Sequence, residues 1–234
     1  MIVPQVGESA WRARLDGVEA WQPPLMPTLV VSPHPDDETL GAGGLISWLR
    51  ARGVPVTVVA VTDGERAYEG VTGLGPVRER EQTAALVRLG VHPERVLRLR
   101  LPDSDVTAHE QRLRECLAEV VRPLVAEGLH VIAPWRGDFH PDHEACGRAA
   151  EAVAAETGAR LTSYFFWTWH RGTTETVSGL PLVRFRLGED ERFAKHEALR
   201  CHRSQLSRPD GEPILPDYLL EPAYRPYEVY LPWL

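Results

Sequence analysis

Apolar residues along the chain fall into short continuous runs separated by longer stretches in which they recur at helical spacing. Runs of strand length lie at residues 28–32, 55–61, 95–100, 130–133 and 160–167. Between them, residues 41–52, 77–89, a segment starting near 107 and broken near Pro123, and residues 143–156 carry the helical pattern. Short apolar runs bounded by turn signals suit strands buried on both faces, and strand–helix alternation builds a parallel sheet. The pattern predicts an α/β protein: a Rossmann-like open sheet, mostly parallel, in strand order 3-2-1-4-5, with helices on both faces. The first and fourth strands flank the reversal of that order, and ligands of open sheets bind there, beyond the carboxyl ends of the strands.

Residues 1–27 carry no usable period and are anchored only by Trp11 and Trp21. They read as an N-terminal extension packed on a single domain spanning residues 1–234. A further helix is expected over 189–205. The Gly-rich segment 63–77 is read either as a mobile rim of the crevice or as a plain long loop. The aromatic run Tyr164-Phe165-Phe166-Trp167-Thr168-Trp169 is expected to be a buried last strand, its other reading being a stacking face for a sugar.

Polar residues appear abruptly where two of the apolar runs end. The first run opens into Ser32-Pro33-His34-Pro35-Asp36-Asp37-Glu38-Thr39, the fourth into Asp138-Phe139-His140-Pro141-Asp142-His143-Glu144. Either cluster alone would pass for a surface turn or a helix cap. Together, at the ends of two strands, they can converge on one metal. Neutral imidazole and carboxylate are donors that Zn²⁺ prefers, and a catalytic zinc takes three protein ligands and keeps a fourth position for water. The clusters hold enough donors for that set with an acid to spare, which hydrolysis requires as a base.

Composition narrows the partners. With 33 acidic against 26 basic side chains the net charge is -7, and the arginines are dispersed, which excludes a nucleic-acid surface. No apolar stretch approaches the ~20 residues of a membrane span and the N-terminus has no apolar signal core, so no membrane association and a cytoplasmic location are expected. Cys116, Cys146 and Cys201 form no close pair and are expected to be buried free thiols.

The string His34-Pro35-Asp36-Asp37-Glu38-Thr39-Leu40-Gly41, with Gly43-Gly44, resembles the signature of the PIG-L/LmbE-like zinc-dependent N-deacetylases. The likeness continues through Val61-Thr62-Asp63-Gly64-Glu65, Arg78-Glu79-Arg80-Glu81, Leu101-Pro102-Asp103 and His140-Pro141-Asp142-His143, and spans about residues 28–205. The resemblance implies that His34, Asp37 and His143 hold Zn²⁺, with another divalent metal such as Fe²⁺ able to fill the same site. It implies that Asp36 is the general base, and that His140, oriented by Asp142, is a cation facing the oxyanion; a carboxylate beside an imidazole raises its pKa in that sense. The other role open to His140 is support of His143. Arg78 and Asp103 match positions that contact sugar in relatives with sugar substrates, or else form a plain surface ion pair. Glu38 reads equally as an acid at a helix N-terminus.

The activity so implied is removal of an acetyl or similar acyl group from a small amino-sugar metabolite such as an N-acetylglucosamine glycoside, with hydrolysis of another small amide or ester as the alternative. A homo-oligomer is compatible with the Pro- and Tyr-rich closing stretch, which the pattern assigns neither to the pocket nor to a subunit contact. Gly41-x-Gly43 after the first strand suggests a dinucleotide site, but Ile46 stands where the fingerprint needs Gly or Ala. A non-catalytic metal or sugar-binding module would leave Asp36 and the His140–Asp142 pair without purpose.

Overall fold

The computed structural model describes residues 2–209 and 211–233. Its strands are β1 (Glu19–Ala20), β2 (Thr28–Ser32), β3 (Val56–Ala60), β4 (Val96–Arg98), β5 (His130–Pro134), β6 (Arg160–Tyr164), β7 (Val183–Arg186) and β8 (Tyr227–Pro232), all in one sheet of order β1-β7-β8-β6-β5-β2-β3-β4. The block β4-β3-β2-β5-β6 is parallel throughout and is the expected 3-2-1-4-5 arrangement. The sheet then continues beyond the expected edge: β8 pairs antiparallel with β6 and β7, and β1 pairs parallel with β7. β1 and β7 lack a continuous apolar run, and that of β8, Val229–Leu231, is short and follows a charged residue. β1 has two residues, β7 reads Val-Arg-Phe-Arg, and β8 carries Glu228 in its buried stretch.

The helices are α1 (Glu8–Leu15), α2 (Asp37–Ala51), α3 (Leu74–Arg88), α4 (Glu110–Val121), α5 (Pro141–Thr157), α6 (Thr168–Arg171), α7 (Glu189–Leu199), α8 (Arg203–Leu206) and α9 (Asp217–Leu220). Alternate residues of the central strands face opposite layers. Leu29 and Val31 of β2 join Leu113, Leu117 and Val153 of α4 and α5, whereas Val30 joins Leu45, Leu49, Leu86 and Ala198 of α2, α3 and α7. Each fully buried Leu or Val adds about 1.5–3 kcal/mol, and the parallel pairing of β2 with β5 brings their carboxyl ends side by side.

Several boundaries differ from expectation. The strand expected over 160–167 ends at Tyr164, and the rest of the aromatic run turns into α6. The helix expected over 189–205 is two helices, interrupted where His202 leaves helical geometry. Helix α2 begins at Asp37, so its glycines lie inside the helix rather than in a phosphate-binding turn. A Cβ on Gly41 would collide with the Tyr164 ring and one on Gly44 with Leu187. These glycines let α2 approach the sheet closely, which removes the dinucleotide reading.

The N-terminal segment is tied to the body through Trp11, which is buried and donates its Nε1–H to the Trp169 carbonyl at 2.9 Å. Of the cysteines only Cys146 is buried; Cys116 and Cys201 are half-buried, and all three are free. Among the described residues no helix is long and apolar enough to cross a membrane.

Candidate metal centre and active site

The chain leaves β2 at Ser32 and enters α2 within four residues, and this tight passage fixes the first cluster. Asp36, the N-cap of α2, has φ 146° and ψ -27°, a region that side-chain-bearing residues avoid and that costs about 1–3 kcal/mol. The conformation is held from both sides: Thr39 and Leu40 donate their N–H groups to the Asp36 carbonyl, and Asp37 donates its own to the His34 carbonyl. The bend turns consecutive carboxylates in different directions. Asp37 points to the imidazoles of His34 and His143, and Asp36 to the Arg78 guanidinium.

The second cluster lies between β5 and α5. Pro141 opens the helix at a position where its missing N–H is no loss, and His140 is the N-cap, its Nδ1 accepting the Asp142 N–H at 3.3 Å. One turn into the helix, His143 is fully buried beside Asp37.

Here three donor atoms meet. Asp37 Oδ2 lies 3.0 Å from His34 Nδ1 and 3.1 Å from His143 Nε2, and one ligand atom from each of the three residues lies within 4.8 Å of the others. The far nitrogen of each ring faces a carboxylate: His143 Nδ1 is 2.9 Å from Asp138 Oδ2, and His34 Nε2 is 3.1 Å from Asp142 Oδ2. When those far nitrogens carry the protons, the near ones present lone pairs toward the Asp37 oxygen. Buried His143 Nε2 has no hydrogen-bond partner. Acceptors facing one another in a buried site call for a cation between them, and imidazoles braced by carboxylates form a familiar surrounding for a divalent metal. The residues present therefore fit the metal.

Without a metal, protons take its place. Burial opposes a charged imidazole, yet Asp103, Asp142 and Asp37 raise His34 well above its ordinary value, and Asp37 and Asp138 push His143 up to about 9. Burial would likewise raise Asp37, but His143 and His34 outweigh it and hold the carboxyl well below the usual range.

Asp36 behaves differently. Burial lifts its carboxyl to about 7 although Arg78 pulls the other way, which gives an acid poised to exchange a proton near neutrality. Arg78 is 3% exposed and also donates to the carbonyls of Gly64 and Pro35, so it is no surface ion pair. Asp103 is equally buried, lies 3.3 Å from His34 Nε2 and accepts the Arg66 N–H. Both line a cavity of about 230 Å³ that also contains His34, Asp36, Asp37 and His140.

The structure bears on two further expectations. The Asp142 carboxylate does not orient the His140 ring; its oxygens accept from His34 Nε2 and from the N–H groups of Ser104 and Val106. The cationic form of His140 is disfavoured in the metal-free protein. Burial, together with His143 and His34, pushes the imidazole down to about 3, and with Nδ1 accepting a backbone N–H its proton sits on Nε2.

Sequence reasoning missed other contributors. Asp138 accepts His143 and, in addition, the N–H groups of Phe166, Trp167 and Thr168 and the Thr168 hydroxyl. Trp167, which that turn positions, stacks on His140 at 5.7 Å and lines the cavity, so the stacking reading of the aromatic run applies to this one ring. Glu38 is a fully buried acceptor for Ser32, Thr39 and Gln82, a strut under the cluster. The segment 63–77 supplies Arg66 and Ala67 to the cavity wall before α3 begins at Leu74.

Fold and site together define a Rossmann-like α/β protein with a buried centre of two histidines and an aspartate, flanked by a second acid, Asp36. The chain belongs to the PIG-L family, described as GlcNAc-PI de-N-acetylase, which matches residues 29–154. It is 38% identical over 171 residues to a 1D-myo-inositol 2-acetamido-2-deoxy-alpha-D-glucopyranoside deacetylase from Nocardia farcinica, a match covering 60% of this chain and little more than half, 56%, of that enzyme. It is 31% identical over 216 residues to the Bacillus subtilis protein described as "Probable N-acetyl-alpha-D-glucosaminyl L-malate deacetylase 2", covering 86% of this chain and 96% of that one. Among solved structures, N,N'-diacetylchitobiose deacetylase from Pyrococcus horikoshii superposes with a TM-score of 0.63 at 25% identity, over 77% of this chain and 71% of that one.

Proposed function

We propose that the protein is a metal-dependent N-deacetylase that removes an acetyl or similar small acyl group from an N-acetylglucosamine-type glycoside or a related small amino-sugar metabolite. The observation that carries this reading is the division of labour between adjacent acids: Asp37 faces both imidazoles of the donor set, while Asp36, lifted to about 7, stays outside it. His34, Asp37 and His143 hold the metal, Zn²⁺ being favoured by the donor set and Fe²⁺ able to replace it. When bound, it supplies an acidified water and a positive charge beside the carbonyl oxygen.

The chain's own groups do the rest. Asp36 takes the proton of the attacking water and returns it to the leaving amine, with Arg78 fixing its carboxylate at 3.1 Å. His140, neutral and protonated on Nε2, donates to the oxyanion. Asp142 keeps the His34 ring in its ligating tautomer. Arg78 and Asp103, at the cavity floor, contact the sugar. The site of action is the cytoplasm, and the partner is a small molecule.

The test is metal analysis of the purified protein combined with an amine-release screen. Its panel holds N-acetylglucosamine, its small glycosides, chitin oligomers, N-acyl amino acids and simple esters. About one divalent metal per chain, with amine released from small N-acetylglucosaminides and little from long chitin, is the expected result. Turnover of acyl amino acids or esters alone would overturn the amino-sugar assignment and leave the hydrolase.

A further inference from the structure

One buried ion pair takes no part in the chemistry above. Lys195 of α7 is 2% exposed and Glu228 of β8 5%, their charges meet at 2.7 Å, and neither side chain lines the active cavity. Removing two charges from water is costly, and well-packed apolar residues of similar volume often serve a fold as well or better. Stability alone gives no reason for the pair.

What it holds is the backbone of α2. Glu228 accepts the N–H groups of Gly44 and Leu45 at 2.8 and 2.9 Å, besides the Tyr230 hydroxyl, and Lys195 Nζ donates to the Leu40 carbonyl at 2.9 Å. In a regular helix the Leu40 carbonyl is the acceptor for the Gly44 N–H, so the pair engages both partners of one helical hydrogen bond. Side chains let into the ladder in this way allow the turn before them to take its own direction. The glycines of the first motif make room for the grip: a Cβ on Gly43 would stand 3.1 Å from Lys195 Cγ, and one on Gly44 3.1 Å from Glu228 Oε1.

The turn before the grip is the one that carries the site. Leu40 donates its N–H to the Asp36 carbonyl at 2.8 Å, one of the two bonds that keep Asp36 at φ 146°. The same turn opens with Asp37, whose Oδ2 lies between His34 and His143, and Leu40 itself lines the cavity. Ion pair and strained base therefore hold the same residue, one by its C=O and the other by its N–H.

Resting on the assignments of Asp36 and Asp37 above, we propose that Lys195 and Glu228 are positioning residues, which set the first turn of α2 and with it the carboxylates of the base and the metal ligand. Two variants test this. Glu228→Gln keeps the shape but must turn an NH₂ toward one of the donors that Glu228 accepts, and Lys195→Met/Glu228→Gln leaves no charge unpaired. In both, Zn²⁺ affinity measured by chelator competition falls roughly tenfold, the visible bands of the Co²⁺-loaded protein shift, and kcat falls by about 10–100-fold with little change in KM. Leu117→Ala, a core truncation in α4, controls for general loosening: it lowers the melting temperature and leaves the Co²⁺ bands in place.

Unchanged Co²⁺ bands and Zn²⁺ affinity in either variant overturn the proposal. So do equal changes in Leu117→Ala at matched melting temperature, and failure of both variants to fold, which would make the pair structural only. The metal measurements need no substrate. If no N-acetylglucosaminide is turned over, the deacetylase reading fails and they still decide the positioning; if the unaltered protein takes up neither metal, the donor-set reading fails and the proposal with it.

Discussion

At the scale of single residues, the neighbouring carboxylates of Asp36 and Asp37 have opposite electrostatic fates, one lifted to about 7 by burial and the other held down by two imidazoles. The positive φ of Asp36 sets the direction of its carboxylate at the helix entry, where it meets Arg78 rather than the imidazoles. Asp36→Asn should therefore retain the metal and lose turnover by about 10² or more, whereas Asp37→Asn should lose the metal itself; metal content and kcat measured on the same preparations check the pair. Metal lost from Asp36→Asn and kept by Asp37→Asn would reverse the two roles. His140 is argued from the same kind of contrast. As a neutral donor it can be replaced in part by an amide, so His140→Gln should keep more kcat than His140→Ala, which falls by roughly 10²-fold with metal content intact. Equal losses in the two variants would show that the imidazole acts through something other than its N–H.

At the scale of elements, the joint between β5, α5 and the turn after β6 depends on Asp138. Its two oxygens accept three backbone N–H groups, a hydroxyl and the His143 ring, and every one of these partners is a donor. An amide in its place must turn an NH₂ toward donors, so Asp138→Asn should weaken metal binding by about 10–100-fold and lower the melting temperature. Thr168→Val removes only the hydroxyl contact. It should cost about 1 kcal/mol of stability with metal affinity nearly unchanged, and competition against a chromogenic chelator separates the two cases. A loss of affinity as large in Thr168→Val would assign the effect to the turn rather than to His143.

Asp138 also shows where the sequence stops being legible. The five central strands could be read because each is a local apolar run, and the two polar clusters because each lies directly at a run's end; which of their residues form the donor set came from the family resemblance alone. Asp138 lies within the same cluster, yet its partners are some thirty residues away in an aromatic run that looks like a strand and folds as a turn. Strand β8 was hidden for a related reason. Its buried Glu228 makes sense only opposite Lys195 of α7, which donates to it at 2.7 Å, and the N–H groups of Gly44 and Leu45 of α2. No pattern within the segment announces that partnership.

At the scale of the whole molecule, two sets of buried histidines make stability depend on pH in opposite senses. His130, His170 and His202 are held neutral by burial, which lowers them to about 4, 4 and 3. In the unfolded chain they take up protons below about 6.5, so their contribution is present above that pH and is lost as pH falls toward 4. His143, pushed up to about 9, and His34, also raised, behave in the reverse way in the metal-free protein. Their contribution is complete below about 6.5 and is lost as pH rises through 9. The metal-free protein should accordingly be most stable near pH 6.5 and melt at lower temperature on either side. The metal needs the same nitrogens unprotonated, so its affinity grows across the alkaline window in which the metal-free protein weakens. Melting curves at pH 6, 7 and 8.5, with and without excess Zn²⁺, should show an increment that widens with pH and vanishes in His143→Ala. An increment independent of pH would mean that His34 and His143 are already neutral without the metal, and that the lone pairs facing Asp37 are held by some other cation.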